Sequence, residues 1–480
     1  MSVDTVPLTL APVGGGIRNG AAPAARRVPL LEPASVRPAT RRAVRFFSGF
    51  LLVALAGYAT FDHAFAWIHI PGTPIYPGEA GLLVGFGMAV FATGYIRLIA
   101  RAGWPVALLG GFILWGLART LPYVKQYGID ALRDASLWYY ALFALLVVAV
   151  LAANGGRLQR WARLFARLAP LLVIWGIAGV LLGEHRVGPS IPGSTVAVLS
   201  HKIGNVAVTT AIAVAFLWLV PTGVWGSRVR TALTVIGLCV IGMAGTQNRG
   251  GMVAAAVGLG LVILMTRAPM RLLNISLATV VAAVLVAGGF GLAVGAGKAQ
   301  RTVSVDQLVQ NVASLTQGGS STNQLSGNVA FRTELWSGVI ALVDQNHAQV
   351  VGLGFGRNLA AELGLQGTNP NDPLRSPHNS HVDVIARMGA VGAVLWFSLW
   401  GVWLAAVLIA RKRFQQRGQR IHQGMAELAI VGVVVIMVNA FFDPTLESPP
   451  VAIWLWTLFG IGAALFAMVR RSRPIPSSSD

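Results

Sequence analysis

Between Gly352 and Leu395 the chain reads GLGFGRNLAAELGLQGTNPNDPLRSPHNSHVDVIARMGAVGAVL, a polar stretch that runs straight into an apolar span. It holds two histidines three residues apart, His378 and His381. Imidazole accepts a proton near neutral pH, so the segment SPHNSH, Ser376 to His381, could supply a general base. Asn379 or Asp383 could orient it by hydrogen bonding. The same spacing could hold zinc, with Asp383 the one further ligand nearby. Two arginines add charge. Arg249, in GTQNRGGMV, lies in a short turn between two apolar runs, where Gly250 and Gly251 allow a bulky group close to the backbone. Arg332, in NVAFRTELW, is expected on a helix, and its bland use is an ion pair with Glu334 or Asp344. Two guanidinium groups suit a diphosphate, because each binds phosphate bidentately and neither loses its charge near neutral pH. Gly352, Gly354 and Gly356 form no nucleotide loop, since no GK[ST] follows them. Polar residues crowded at the edge of an oily chain are costly and mark function.

The elements that must position these groups are membrane helices. Of 480 residues, 55% are apolar and 11% charged. Twelve apolar runs are long enough to read as helices, which predicts an all-α integral membrane protein of about twelve transmembrane helices. The runs are Val44–Phe61, Ala80–Ala100, Trp104–Leu117, Trp138–Ala153, Leu168–Leu182, Ile203–Val220, Thr231–Thr246, Gly250–Thr266, Leu272–Val294, Gly389–Ala410, Ala426–Phe442 and Val451–Val469. They do not alternate as barrel strands would.

Charge sets the expected orientation. With the N-terminus cytoplasmic, 25 of the 37 Lys and Arg fall inside, and 13 of the 17 acidic residues fall outside. That is the positive-inside pattern, so the net charge of +20 is topological and not a nucleic-acid footprint. The division that follows is a disordered cytoplasmic arm (1–43), helices one to nine (44–294), one large periplasmic loop domain (295–388), helices ten to twelve (389–469) and a cytoplasmic tail (470–480). No cleavable signal is expected ahead of the first span. The loop should carry helices at Thr302–Leu315 and Ala330–Val343, joined by a flexible turn at Gln317–Gly327. Leu335, Trp336, Val339, Ile340 and Val343 would then lay an apolar face in the membrane interface. The lone cysteine, Cys239, excludes a disulfide within the chain and reads as a small buried hydrophobe. Trp67, Tyr76, Tyr123 and Tyr127 fit an aromatic belt better than a sugar platform.

Taken in order, Asn248-Arg249-Gly250-Gly251, Arg332 with Trp336, Gly352-Leu353-Gly354-Phe355-Gly356, and His378-Asn379 with Gly389 resemble the O-antigen ligase and polymerase superfamily of polytopic bacterial glycosyltransferases. The resemblance implies a glycan donor on undecaprenyl diphosphate, in the inner membrane, with a hydroxyl acceptor on the periplasmic side. Arg249 and Arg332 would bind the diphosphate and stabilise it as leaving group. His378 would activate the acceptor, with Asn379, His381, Gly354, Gly356 and Trp336 in support, and neither metal nor cofactor would be needed. The chain departs from the pattern at Arg387, where many members carry a glutamate. The rival class is a multi-span transporter or flippase of polysaccharide precursors, which would commonly show two similar halves. Ligase and polymerase differ in their acceptor, which these motifs leave open.

The charge pattern predicts that reporter fusions at Gly318 and Ser478 report periplasm and cytoplasm respectively. Alkaline phosphatase activity at Ser478 would contradict it.

Overall fold

The computed structural model describes residues 38–69, 73, 75–91, 99–100, 102–153, 155–183, 187–290, 294–295, 302–303, 323–365 and 374–471. The expected arm up to residue 37, most of the stretch 291–322 and the tail beyond 471 lie outside them. Each of the twelve apolar runs lies on or begins a helix. Seven described helices are long and apolar enough to cross a membrane, and an eighth follows if the bent pair Ile129–Tyr139 and Leu142–Leu151 is one span. Four shorter apolar helices accompany them, Ile203–Leu219 and Arg249–Met265 among them. The protein is thus an all-α membrane protein.

Among the described residues the helices are, in chain order, α1 (Pro38–Ala66), α2 (Pro77–Phe91), α3 (Trp104–Tyr127), α4 (Ile129–Asp134), α5 (Ser136–Tyr139), α6 (Leu142–Ala153), α7 (Gly155–Leu182), α8 (Ile203–Leu219), α9 (Ser227–Gln247), α10 (Arg249–Met265), α11 (Pro269–Phe290), α12 (Asn323–Gln345), α13 (Leu359–Glu362), α14 (Ser380–Gln416), α15 (Arg420–Phe442) and α16 (Pro449–Arg471). A 3-10 turn, Thr445–Glu447, links α15 to α16. The most buried of the seven candidate spans is α16, with 89% of its apolar window enclosed, against 33% in α1 and α14. Its Trp456 and Phe459 pack on Trp396, Trp400 and Trp403 of α14, and Trp403 Nε1 donates to the Phe459 carbonyl.

Small residues let the helices near the site close up. Cβ atoms on Gly250 and Gly251 of α10 would meet Phe442 of α15 at 2.5 Å and Gly204 of α8 at 3.0 Å. The ends of α8, α10, α14 and α15 that bear the candidate residues therefore share one end of the bundle.

The tenth run behaves differently from its expectation. Helix α14 starts at Ser380, nine residues before Gly389, and breaks at Gly389 (φ 66°). The glycine loop after α12 fills the break. Leu353 N and Gly354 N donate to the Ala386 and Arg387 carbonyls at 2.8 and 3.0 Å, and Trp115 Nε1 donates to the Met388 carbonyl at 2.8 Å. In return Ala390 N and Val391 N donate to the Gln349 and Val350 carbonyls at 2.8 and 3.3 Å. All of these backbone groups at the break have partners, as an apolar setting demands.

Several other expectations are corrected. Residues 38–43 are helical rather than part of the arm. Thr302–Val303 pairs as a strand with Val294–Gly295, where a helix was expected to begin. Helix α12 starts at Asn323, inside the expected flexible turn, and includes Ala330–Val343. Leu335, Val339 and Val343 bury against Leu353, Leu359 and Ala386 rather than against lipid, which leaves Ile340 exposed. Cys239 is exposed on α9, not buried.

Gly352 (φ 78°) abuts the Arg387 carbonyl and the Gly389 nitrogen, whereas Gly364 (φ 69°) has open space around its Cβ position. Gly364→Ala should cost about 1–2 kcal/mol, the penalty of a left-handed alanine. Gly352→Ala should cost clearly more, because the break must open. Thermal unfolding in detergent checks this, and equal losses would contradict the latch.

Candidate functional site

The HN pair is built at the start of α14. Asn379 is its N-cap, with Oδ1 accepting from His381 N and Val382 N at 3.0 and 3.2 Å. His378, just before it, has φ 51°, a left-handed conformation rare outside glycine. Such strain costs on the order of 1–3 kcal/mol and persists where neighbours over-determine it. Here Trp336 Nε1 of α12 donates to the Pro377 carbonyl at 2.8 Å, and Ser380 Oγ donates to the Asp443 carbonyl at 3.3 Å. His378 is therefore gripped from both sides and remains partly exposed.

The same contacts gather the arginines. Trp336 stands one helical turn after Arg332, so the two share a face of α12. The Trp336 ring meets Phe441 edge-on at 5.4 Å, Phe441 meets Phe442 at 5.3 Å, and Phe442 packs on Gly250 beside Arg249. Arg249 opens α10, behind the Asn248 cap whose Oδ1 accepts from Gly251 N at 2.7 Å. The end of α15 is thus the hub on which the Arg249 turn, the Arg332 face and the His378 loop converge. Arg332 forms no ion pair with Glu334 or Asp344 and has no side-chain hydrogen bond among the described residues. Below the hub, an apolar crevice of about 480 Å³ runs between α10, α14 and α15, lined by Val253, Trp400, Met437, Phe441 and Phe442 among others.

His381 has a different role from His378. Its Nδ1 accepts from Trp396 Nε1 at 3.2 Å, which puts the proton on Nε2, the donor to the Met437 carbonyl at 3.0 Å. Both nitrogens are engaged, so His381 braces α14 against α15 and is open neither to a metal nor to a transferred proton. Asp383 is also taken. It receives Arg387 Nε at 2.9 and 3.0 Å, so it is not the group that orients His378.

Arg387 joins a buried ionic cluster that lay outside the motif reading. Its NH1 reaches Asp134 Oδ2 at 3.0 Å, and its guanidinium lies 5.8 Å from the Phe355 ring centre. Arg375 bridges Asp130 and Asp134 at 3.2 and 3.4 Å and donates to the Gly356 carbonyl at 3.0 Å. Gly356 N in turn donates to Asp134 Oδ2 at 3.1 Å. Glu447 faces Asp383, Arg387, Asp134 and Ser376. Burial, then the Asp383 and Asp134 carboxylates, push the Glu447 carboxyl well above its ordinary range, against the pull of Arg387. Three enclosed carboxyls face two guanidiniums, so a proton on Glu447 balances the charge. Tyr123 and Tyr127 of α3 stack on each other and cover Gly354 and Gly356, which assigns them to packing. Trp67, Ile68 and Lys202 remain exposed.

The polar run FFDPTLESPP between two spans was the available signal for Asp443 and Glu447. Asp134 and Arg375 carried none, because their pairing spans more than two hundred residues.

Residues 234–397 match the family model for O-antigen ligase. The match takes in Arg249, Arg332, the glycine loop and His378-Asn379, and it supports the resemblance to the O-antigen ligase and polymerase superfamily drawn from those motifs. No curated protein matches the chain.

The raised Glu447 value has a defined sign. Its protonated form is favoured in the folded state, so its contribution to stability falls as pH rises from the ordinary glutamate value, about 4.3, to the raised folded value. Glu447→Gln keeps the donor and cannot ionise, so its melting temperature should stay flatter than wild type across that interval. A wild-type slope in the glutamine variant would contradict a protonated Glu447.

Proposed function

We propose that this protein is a glycosyltransferase of the inner membrane that moves a glycan from undecaprenyl diphosphate to a hydroxyl acceptor at the periplasmic face. The observation that carries the reading is the convergence of Arg249, Arg332 and His378 on the end of α15, directly above an apolar crevice. A polyprenyl diphosphate needs both halves of that arrangement, cations for the head group and an apolar slot for the tail. The charge bias of the loops supports an outward-facing site, cytoplasmic termini and about twelve spans.

In the reaction, His378 takes the acceptor hydroxyl proton as the oxygen attacks the anomeric carbon. The bond from that carbon to the diphosphate oxygen breaks, with inversion. The charge left on the diphosphate is stabilised by Arg249 and Arg332, a part divalent ions play elsewhere. The glycine loop holds the α14 break, and Trp336 and Asn379 hold His378 in its strained conformation. Ligase and polymerase activity share these steps and differ only in the acceptor.

Purified protein assayed with a lipid-diphosphate glycan donor tests this. Arg249→Ala and Arg332→Ala should each abolish transfer while the protein still inserts, with lysine a poor substitute because it lacks the fork. Normal rates in both alanine variants would remove the clamp. His378→Ala should lower the rate roughly 10²–10⁴-fold, the usual span for a lost general base. The wild-type rate should fall at the acid pH where His378 gains a proton, because only the neutral ring accepts one. Chelators should leave the rate unchanged. His381→Ala should act chiefly through stability, since it strands the Trp396 donor and the Met437 carbonyl. A His378 variant that keeps its activity would overturn the base assignment.

A further inference from the structure

Helix α7 carries a basic stripe on its first turns. Arg160, Arg163 and Arg167 follow one another at spacings of three and four, so they are neighbours on one face. All three are exposed, and none makes a hydrogen bond or ion pair among the described residues. The stripe goes on, at spacings of four and three, as Leu171 and Ile174, which are 48% and 52% exposed. One outward face thus changes from charge to hydrocarbon between Arg167 and Leu171. The inward face is apolar, with Leu158, Ala162, Ala169 and Val173 buried and Trp161 Nε1 donating to Ser48 Oγ of α1 at 2.8 Å. The packing of α7 therefore turns its arginines out of the bundle.

The turn between α8 and α9 is docked on the same part of α7. Pro170 lies inside α7 and has no N–H, so the Ala166 carbonyl one turn before it lacks its helical donor. Trp225 Nε1 donates to that carbonyl instead, and the indole stays exposed. Three residues on, Arg228 is exposed and also has no partner among the described residues. Carboxylates are scarce here. Between Asp134 and Asp306 the sequence holds one acidic residue, Glu184, two positions past the end of α7. Of the helices packed on α7, α1 brings Asp62, which accepts from Lys202 N and Asn205, and α15 brings Glu427, which Arg411 holds at 2.8 Å. Like charges one turn apart repel, and an anion seated on the stripe would relieve that repulsion.

We propose that this face of α7 is a binding site for an anionic phospholipid, with the head-group phosphate on Arg163 and Arg167 and an acyl chain along Leu171 and Ile174. Guanidinium forks bind phosphate oxygens in pairs. The step from charge to oil along one face follows the order of head group and tail, and an exposed tryptophan suits the head-group level. Arginines that served only to orient the chain by charge would need neither a shared stripe nor the Trp225 seat. Helix α9 runs from this turn to the Asn248 cap, so the site lies a helix length, about 30 Å, from Arg249 and is independent of the glycosyl-transfer reading.

The test is titration of the delipidated, detergent-solubilised full chain with phosphatidylglycerol, phosphatidylethanolamine or inorganic phosphate, with bound ligand counted by native mass spectrometry. Wild type should bind phosphatidylglycerol saturably and more tightly than the other two. The double variant Arg163→Gln with Arg167→Gln should weaken that binding roughly tenfold or more, the loss of charge-assisted contacts. Both residues are exposed, so its melting temperature without lipid should stay near wild type. Lys412→Gln with Arg413→Gln removes the same charge from exposed positions on α14 and should bind like wild type. Undiminished binding in the Arg163 and Arg167 variant would overturn the site. An equal loss in the α14 variant would reduce the effect to bulk charge and overturn it too. Inorganic phosphate or phosphatidylethanolamine bound as tightly as phosphatidylglycerol would overturn the anionic-lipid assignment.

Discussion

A helix cannot be broken inside a membrane protein without new partners for the backbone groups it frees. The break at Gly389 is the constraint on which the rest of the site depends. Its carbonyls are met by Leu353, Gly354 and Trp115, and its amides find Gln349 and Val350. This exchange ties the loop after α12 to the start of α14, so the glycine pattern serves main-chain geometry and not phosphate binding. Once the loop is tied down, α12 has a fixed seat, and Trp336 can grip Pro377.

Charge secures what the backbone exchange begins. Asp134, Asp383 and Glu447 come from three separate elements and enclose Arg387, while Arg375 joins Asp134 to the glycine loop. Removing one partner from such a group strands a buried charge, which costs several kcal/mol. The network therefore specifies one arrangement of loop and helices more than it adds net stability. It also accounts for Arg387, the departure from the family pattern, as a structural cation held by two aspartates. The proposed reacting groups, Arg249, Arg332 and His378, are partly exposed, whereas Arg387 and Asp383 of this network are enclosed.

Much of this was legible in the sequence and some was not. The apolar runs fixed the helices because a membrane span has a strong length signal. Arg249, Arg332 and His378 stood out because polar groups beside hydrocarbon are costly. The start of α14 was hidden, since SHVDVIAR is too polar to read as a span and becomes helical only through the Asn379 cap and the Asp383–Arg387 pair. The split between His378 and His381 depended on Trp396 and Met437, which are close in space and distant in sequence. Cys239 was misplaced because composition cannot tell a lipid-facing side of an apolar helix from a protein-facing one.

The most direct measurement is a cryo-EM structure of the protein with a non-hydrolysable phosphonate analogue of the lipid-linked donor. The account predicts the diphosphate group between Arg249 and Arg332, the anomeric carbon facing His378, and the prenyl chain in the crevice beside Val253 and Phe441. A head group bound at the opposite end of the bundle, near Arg267 and Arg411, or a prenyl chain that bypasses the crevice, would contradict it.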